Sequence, residues 1–381
     1  MNVPKLRFKE FNDEWCYQSL SKYVNRITTK NKNNESDLVL TISAQYGLVD
    51  QTIFFNRSVS SSNLTGYYLL NNGDFAYNKS YSNGYPWGTV KRLNKYNQGV
   101  VSSLYICFKT NNLIDSNFLE QYFETNKWYQ QISEVSVEGA RNHGLLNIAV
   151  NDFFNTKHYI PSIKEQEKIS KFLSLLDKKI ELQTKKIEDL KLFKKGLLYN
   201  EKRNNKAWNE YKISDIMNIT RGTVIPKTEI SKCLNNEFRY PVYSSQTSNN
   251  GILGYDNKYD FNGKFLTWTT DGANAGKVFY REGKFRCTNV CGILYNKDNR
   301  YVSELTAELL NIETPKYVSY VGNPKLMNNV MSNIIIKLPN SSRDHFFSSI
   351  LKIINKKLTI EEEKLDKLFE LKKGLMQNMF V

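Results

Sequence analysis

Two segments of this 381-residue chain repeat each other without a gap. Residues 160–198 read IPSIKEQEKISKFLSLLDKKIELQTKKIEDLKLFKKGLL, and residues 338–376 read LPNSSRDHFFSSILKIINKKLTIEEEKLDKLFELKKGLM. The offset is 178 throughout, so Pro161 aligns with Pro339 and both copies end in Lys-Lys-Gly-Leu. This repeat constrains the fold more than any single motif, because both copies are expected to form the same structure.

Both copies carry a seam of residues spaced alternately by four and three. The seam positions are Ile169, Leu173, Leu176, Ile180, Gln183, Ile187, Leu190, Lys194 and Leu197 in the first copy, and Phe347, Leu351, Ile354, Leu358, Glu361, Leu365, Leu368, Lys372 and Leu375 in the second. Seven of the nine are apolar in each copy, and the polar exceptions align. The spacing predicts two long helices packed as a coiled coil. The alternative is an amphipathic core helix repeated by chance, and the shared register argues against it.

Each long helix has a recognisable start. Ser162 is the expected N-cap of the first helix, with Glu165 three residues later as a capping box. Asn340 takes the N-cap place in the second. From first to last seam position, each helix covers about 28 residues, or roughly 42 Å. Helical spacing of aromatic residues predicts a further, shorter helix over 116–132.

The remaining chain repeats more faintly. Trp15 and Trp208 each open a segment rich in Gly, Asn, Ser, Tyr and β-branched residues, which is typical of short strands and turns. We therefore predict an α+β fold with a pseudo-twofold internal repeat, in which two globular domains are joined by two long helices that form an antiparallel coiled coil. The predicted boundaries are a first globular domain at 1–158, a first helix at 159–203, a second globular domain at 204–338 and a second helix at 339–381.

Composition narrows the partner and the compartment. The chain has 53 Lys and Arg against 38 Asp and Glu, a formal charge of +15, so a polyanion is the first partner to consider. It has no run of 18 apolar residues and no apolar segment near the N-terminus, so we expect no membrane span and no signal peptide. The five cysteines lack the spacing of a disulfide framework or a zinc site, and we expect no metal and a cytoplasmic location.

The starts and ends of the long helices resemble a known family. Residues 160–169 (IPSIKEQEKI) are similar to the P-x-x-x-E-Q-x-x-I start of the first long helix in specificity subunits of type I restriction-modification systems. The two Lys-Lys-Gly-Leu ends and the Trp that opens each globular segment add to this resemblance, which covers the whole chain. The second helix departs from the pattern, because Arg343 and Asp344 stand where the first has Glu165 and Gln166.

The resemblance implies a DNA sequence-recognition subunit. Each globular segment would be a target recognition domain reading one half of a bipartite site in double-stranded DNA. The helices would set the half-site spacing and dock two modification (methyltransferase) subunits, which restriction and translocase subunits join. S-adenosylmethionine, ATP and Mg²⁺ are expected in those partners, with no cofactor in this chain. The sequence supports a non-catalytic role, since it lacks a phosphate-binding G-x-x-x-x-G-K-[ST] loop, an Asn-Pro-Pro-aromatic segment and a G-x-S-x-G elbow.

Candidate DNA-binding residues follow from residue type and from similar placement in the two copies. Amides and guanidinium groups on loops suit base edges, whereas Lys and Arg suit phosphates. The candidates are Gln45, Asn78, Lys79, Lys91, Arg92 and Arg141 in the first segment, and Gln246, Trp268, Thr269, Lys277, Arg281 and Lys325 in the second. The alternatives are a loop-capping side chain for each glutamine and plain surface charge for Lys91, Arg92 and Arg281. The predicted helix–helix interface consists of Ile169, Leu173, Leu176, Ile180, Ile187, Leu190, Leu351, Ile354, Leu358, Leu365 and Leu368.

Two other functions remain open at this point. One is a coiled-coil scaffold that binds RNA or acidic proteins without DNA sequence specificity. The other is a methyltransferase within this chain, which would require S-adenosylmethionine binding by the chain alone.

Overall fold

A computed structural model describes residues 2–56, 63–136, 146–204, 208–296 and 299–381. The chain divides into two compact units, which we call unit 1 (residues 1–184 and 364–381) and unit 2 (residues 185–363). Both long helices contribute one half to each unit. The four domain boundaries inferred from the sequence remain a prediction.

Unit 1 is built from short strands and helices. Its strands are β1 (Cys16–Ser19), β2 (Val24–Arg26), β3 (Leu40–Ser43), β4 (Gly47–Asp50), β5 (Tyr68–Asn71), β6 (Phe75–Asn78), β7 (Thr89–Arg92), β8 (Gln98–Val101), β9 (Ile106–Thr110) and β10 (Lys157–Ile160). Its shorter helices are α1 (Gln51–Phe55), α2 (Ser116–Phe123), α3 (Tyr129–Val135) and α4 (Val150–Asn155). The prediction of a single helix over 116–132 is wrong, because the structure has two helices there. Between them, the Thr125 hydroxyl donates to the Tyr122 carbonyl and accepts from the Lys127 amide.

A four-stranded antiparallel sheet in the order β2-β9-β6-β7 carries the core of unit 1. Alternate residues of β6 and β9 point to one face, where Phe75 and Phe108 stack with their ring centroids 5.2 Å apart. Helices α2 and α4, together with Trp128 at the N-cap of α3, bring further aromatic side chains such as Phe118 into the same cluster. Aromatic side chains thus fill much of this core.

Helix α5 (Ile163–Asn204) separates these elements from those of unit 2. The strands of unit 2 are β11 (Asn209–Lys212), β12 (Asn218–Arg221), β13 (Tyr240–Tyr243), β14 (Ile252–Asp256), β15 (Phe261–Thr269), β16 (Val278–Cys287), β17 (Cys291–Tyr295) and β18 (Ile335–Leu338). Its helices are α6 (Ile213–Ile216), α7 (Glu304–Glu313) and α8 (Asn328–Ser332), and α9 (Ser341–Met379) completes the chain. A six-stranded sheet ordered β12-β17-β15-β16-β13-β14 forms its centre.

Each unit is closed by its first and last strands. Strand β1 pairs antiparallel with β10 in unit 1, and β11 pairs antiparallel with β18 in unit 2. The buried Trp15 and Trp208 immediately precede the first strand of each pair. The Leu20 amide donates to Thr156 and the Ile213 amide to Ile334, so the segments after the two tryptophans are held alike. The faint sequence repeat therefore corresponds to a repeated structural position.

The long helices are longer than their seams, with 42 residues in α5 and 39 in α9. Every seam position is buried or half-buried, including the polar exceptions. Ile169, Leu173, Leu176, Ile180, Ile187, Leu351, Ile354 and Leu358 are buried, whereas Leu190, Leu365 and Leu368 are half-buried. The seam spacing thus predicted correctly which face of each helix is covered.

Within each unit, the two helix halves run antiparallel. In unit 2, Lys186 pairs with Glu361, and Lys194 donates a hydrogen bond to Asn355. The contact that lies later on α5 is therefore made to an earlier residue of α9, as expected for antiparallel helices. In unit 1, Lys372 pairs with Asp177, and residues near the start of α5 share a core cluster with the end of α9. Coiled-coil packing in the strict sense remains a prediction.

The helix starts only partly match expectation. Asn340 accepts a hydrogen bond from the Arg343 amide at 3.1 Å, which confirms it as an N-cap. The capping box at Glu165 is wrong, because this carboxylate forms a two-bond pair with the Arg7 guanidinium at 2.7 and 2.8 Å. A charge-assisted bidentate pair is stronger than the single bond that a capping box would provide.

Candidate DNA interface

A loop that follows a central strand occupies the same place in both units. In unit 1, the loop after β6 is held by a hydrogen bond of 2.9 Å from the Leu146 amide to the Lys79 carbonyl. In unit 2, the loop after β15 is held by a bond of 2.9 Å from the Leu326 amide to the Thr270 carbonyl. Both donors lie in the segment that precedes the closing strand. The loops after β6 and β15 therefore have equivalent supports.

The loop of unit 1 presents polar groups in fixed positions. The Asn78 side chain accepts a bond of 3.1 Å from the Ser80 amide, and the Lys79 ammonium donates to the Ile148 carbonyl at 3.2 Å. Both side chains are half-buried. Such a loop can offer amide and ammonium groups to a bound polyanion with little further ordering.

The hairpin between β3 and β4 carries the exposed Gln45 at its tip. Tyr46 beside it is also exposed, and its amide is held by the Ser43 hydroxyl at 3.2 Å. A glutamine amide on a tight turn can form two hydrogen bonds with an adenine edge. The structure is thus compatible with the DNA-facing role predicted for Gln45, which remains a prediction.

Lys91 and Arg92 both pair with side chains of the protein; the phosphate contact of the buried Lys91 is corrected, and that of the half-buried Arg92 stays a prediction. Lys91 is buried, and its ammonium lies 2.5 Å from the Glu124 carboxylate. Arg92 donates to the Ser116 hydroxyl and pairs with Glu120 at 2.9 Å. These partners come from α2 and the residue that follows it, so both cations hold β7 against that helix.

Trp268 and Thr269 are core residues in unit 2, which corrects their predicted place on a DNA-facing loop. Both are buried, and the Trp268 indole N–H donates to the Leu326 carbonyl at 3.0 Å. Gly292 on the adjacent strand leaves room for this ring, since a Cβ atom there would lie 2.1 Å from it. Strand β15 continues to Thr269, so the exposed loop begins later than we predicted.

Arg281 lies inside unit 2 and is 2% exposed. Its Nε donates to the Thr267 hydroxyl at 3.2 Å, and its guanidinium carbon lies 3.6 Å from the centroid of the Tyr243 ring. Burial lowers the pKa of this guanidinium. Both the phosphate contact predicted for Arg281 and the surface-charge alternative are therefore wrong, because the side chain packs between aromatic rings.

Three further candidates in unit 2 lie nearer the surface. Gln246 is half-buried and donates to the Ile252 carbonyl, which matches the loop-capping alternative. Lys277 is exposed. The Lys325 side chain is 52% exposed, with its ammonium 4.0 Å from the Asp271 carboxylate. Arg141 lies outside the residues that the structure describes.

Sequence reasoning missed the apolar tip formed by Tyr320 and Val321. These residues are exposed in a turn closed by a bridge between Ser319 and Lys325. The sequence signal was present, since Gly322-Asn323-Pro324 is a turn.

Metal binding and membrane insertion find no support in the described residues. No group of three or more His, Cys, Asp or Glu side chains in that part of the chain is arranged to hold a metal ion. Among the helices that the structure describes, none combines the length and apolar character needed to cross a bilayer.

Comparisons with known proteins decide the family. Residues 205–370 match the family model described as the type I restriction modification DNA specificity domain. A Mycoplasma pneumoniae protein named as the N-terminus of a type I specificity subunit is 43% identical over 142 residues, which are 37% of this chain and 74% of that protein. Another type I specificity subunit of that organism is 38% identical over 188 residues, which are 47% of this chain and 68% of that protein.

This chain belongs to the type I specificity subunits. Its role is DNA sequence recognition within a type I restriction-modification system. The crystal structure of a type I system S subunit from M. genitalium matches the fold with a TM-score of 0.68 at 16% identity, covering 100% of this chain and 99% of that one. The mixed helix and strand content predicted for this specificity subunit is confirmed.

Proposed function

We propose that each unit of this specificity subunit reads one half of a bipartite DNA site. The observation that carries the proposal is the equivalent support of the loops after β6 and β15. A pair of similar reading loops, one in each unit, suits a site made of two separated halves. If the half-sites lie one helical turn apart, their spacing is about 34 Å, which the roughly 42 Å seam of each helix is long enough to span.

Different residues of the two units suit different contacts. Gln45 and Asn78 carry amides that suit base edges, whereas Lys79 suits phosphate. In unit 2, Lys277 and Lys325 suit phosphate. Apolar and positioning contacts would then have to supply more of the readout in unit 2.

The long helices offer a surface for two copies of one partner. Leu175 and Leu182 are exposed on α5, and Ile353 and Ile360 are exposed at the same places on α9, 178 residues further on. In each helix the two residues are seven apart, so they lie on one stripe away from the buried seam. We propose that each stripe docks an apolar helix of one modification subunit.

Chemistry is then left to the partners. The modification subunits supply S-adenosylmethionine and methylate DNA, and restriction and translocase subunits supply ATP- and Mg²⁺-dependent cleavage and translocation. This chain positions them on the sequence that it reads. A cytoplasmic location follows from this role and remains a prediction.

The test is competition binding by the complex of this chain with its modification subunits. We expect specific duplex to displace the labelled probe far better than random duplex at physiological salt. Gln45→Ala should lower specific affinity by about 5- to 150-fold, since a bidentate base contact contributes about 1–3 kcal/mol. Gln130→Ala is the matched control, because Gln130 is an exposed glutamine on α3 that donates to Glu134. Equal competition by both duplexes would contradict the proposal and favour a scaffold that binds RNA or acidic proteins.

A further inference from the structure

The turn at residues 319–325 of unit 2 exposes an apolar tip on a rigid base. Ser319 and Lys325 exchange two backbone hydrogen bonds, of 2.9 and 3.0 Å, and Gly322 turns the chain with a φ of +75°. Between them, Tyr320 is 68% exposed and Val321 is 93% exposed. A partner that covered these two side chains would gain free energy by removing apolar surface from water.

The base of this turn is tied to the reading loop. The Gly272 amide donates to the Pro324 carbonyl at 2.9 Å, and the Leu326 amide donates to the Thr270 carbonyl at 2.9 Å. The tip is therefore continuous with the loop after β15 that we propose faces DNA. These bonds also hold the tip away from the core, so the tip is preorganised for an external partner.

The surroundings suit a polyanion. Lys325 lies at the base of the turn, and its side chain is 52% exposed. Arg221 lies against the segment that follows the turn, with its Nε donating to the Asn328 side chain at 3.1 Å. Two cationic side chains beside an apolar tip, Lys325 and Arg221, are charge-complementary to the phosphates that flank a base step.

The size of the tip distinguishes between classes of partner. A stable protein–protein interface needs about 800 Å² from each partner. Two side chains at one turn are too small for that, but they match the apolar wedges that proteins insert between base pairs to kink a duplex.

We propose that the turn at 319–325 is a DNA wedge, in which Tyr320 and Val321 enter a groove and partly unstack one base step. Lys325 and Arg221 would then hold the flanking phosphates. The proposal rests on the DNA-reading role of unit 2 and extends it. Part of the specificity of unit 2 would come from the free energy needed to deform that base step. This free energy is lowest at pyrimidine–purine steps.

The experiment uses the complex of the full chain with its modification subunits. The probe is a duplex carrying the site mapped by methylation sequencing, with 2-aminopurine replacing in turn each adenine, on either strand, in and beside the half that unit 2 reads. We expect binding to raise the fluorescence at one step, because unstacking relieves quenching. Tyr320→Ser with Val321→Ser should abolish that rise and weaken specific binding at least tenfold, with the salt dependence unchanged.

Two control variants separate the contributions. Lys325→Gln should keep the fluorescence rise but reduce the slope of log affinity against log salt by about one. Leu234→Ser, at a residue of unit 2 that is 61% exposed, should change neither quantity. A double serine variant that binds tightly and still raises the fluorescence would overturn the wedge while leaving DNA recognition intact. A parent complex with no preference for the specific duplex would overturn the proposed function itself.

Discussion

The starts of the two long helices are held by the same ion pair with its charges exchanged. In unit 1, Glu165 on α5 accepts two hydrogen bonds from Arg7, which precedes the first strand. In unit 2, Arg343 on α9 donates two hydrogen bonds to Glu201, which also precedes the first strand of its unit. Glu165 and Arg343 are 178 residues apart, and each is the third residue of its helix. The geometry of the contact is repeated although the sign of each charge is not.

The next residue of each helix makes a second equivalent contact. Gln166 on α5 accepts a bond of 2.8 Å from the amide of Asp115, the N-cap of α2. Asp344 on α9 accepts a bond of 2.8 Å from the hydroxyl of Ser303, the N-cap of α7. The start of each long helix thus holds the start of the short helix in its own unit. The absence of the Glu-Gln pair from the second copy therefore changes the chemistry of the contact and leaves its place unchanged.

A third contact follows the same rule further along the helices. In unit 1, Asp177 on α5 accepts a bond of 2.9 Å from Gln121 and pairs with Lys372. In unit 2, Asn355 on α9 donates to Glu308 at 3.3 Å and accepts from Lys194 at 3.0 Å. The acid lies on the long helix in one unit and on the short helix in the other. Polar contacts between two packed helices need matched donors and acceptors, and either helix can supply either one.

Reversing the charge of Glu165 should have the largest effect. Glu165→Arg would place a second cation against Arg7 in a buried position, and breaking a buried pair in this way costs about 3–5 kcal/mol. Hydrogen exchange of α2 and β10 should report the loss in unit 1. Arg7→Glu in the same chain should recover most of it by rebuilding the pair in the polarity of unit 2. A double variant as unstable as the single one would show that polarity is not interchangeable.

The matching change in unit 2 should be milder. The Arg343 side chain is 46% exposed, so Arg343→Glu can turn its new charge towards water, and the remaining cost is that of Glu201, 7% exposed, losing its partner. We expect protection of α7 amides from exchange to fall less than that of α2 amides in Glu165→Arg. Equal losses in the two units would contradict the role that we assign to burial.

Lowering the pH should destabilise unit 1 selectively. His158 in β10 is buried between the Tyr122 and Thr156 hydroxyls at 2.8 Å from each, and burial lowers its pKa to about 3. The unfolded chain binds a proton near pH 6.5, whereas the folded chain does not until about pH 3. Stability from this residue is therefore present above pH 6.5 and is lost as the pH falls, by about 2 kcal/mol at pH 5.

Unit 2 provides the internal control for that pH dependence. Ile336 stands 178 residues after His158 and is buried without a titratable group. Exchange of β10 and α2 amides should accelerate between pH 7 and pH 5, after correction for the intrinsic rate, more than exchange of β18 amides. Replacing His158 by Gln should remove the difference, and a difference that persists would assign it to another group.

Exchanging the acid and the amide at the third contact, Asp177 and Asn355, should have a smaller effect on stability than the charge reversals at the helix starts. Asn355→Asp would bring a carboxylate close to Glu304 and Glu308, with Lys194 as its nearest described cation, and we expect a loss of about 1–2 kcal/mol. Asp177→Asn keeps the acceptor for Gln121 and should cost less. Thermal unfolding of the two variants should rank them in that order, and the reverse ranking would contradict the contacts described.

Removing the bond to an N-cap should have the smallest effect. Gln166→Ala leaves the Asp115 amide without its acceptor and should cost about 0.5–1.5 kcal/mol, because this bond is only partly buried and water can replace some of it. Asp344→Ala should cost less, since burial raises the pKa of this carboxyl and so already weakens its charged form. Urea unfolding would measure the loss of stability in each of the two variants. A larger loss for Asp344→Ala than for Gln166→Ala would contradict our interpretation.

These contacts mark the limit of what sequence alone could predict. The seam, the buried face of each helix and the Asn340 cap followed from spacing, because helical geometry converts sequence distance into spatial distance. Lys91 was misassigned because its partner Glu124 lies on a different element, and a local pattern contains no information about such a neighbour. Trp268 was misassigned because the end of a strand cannot be located to within two residues from composition.

The measurement that tests the central claim most directly is the sequencing of methylated adenines in a host that carries this chain with its modification subunits. We predict a split recognition sequence with a non-specific spacer. Replacement of Gln45 should relax one half only, and replacement of Tyr320 and Val321 should relax only the other. A continuous site, or a variant in one unit that alters both halves, would contradict the account.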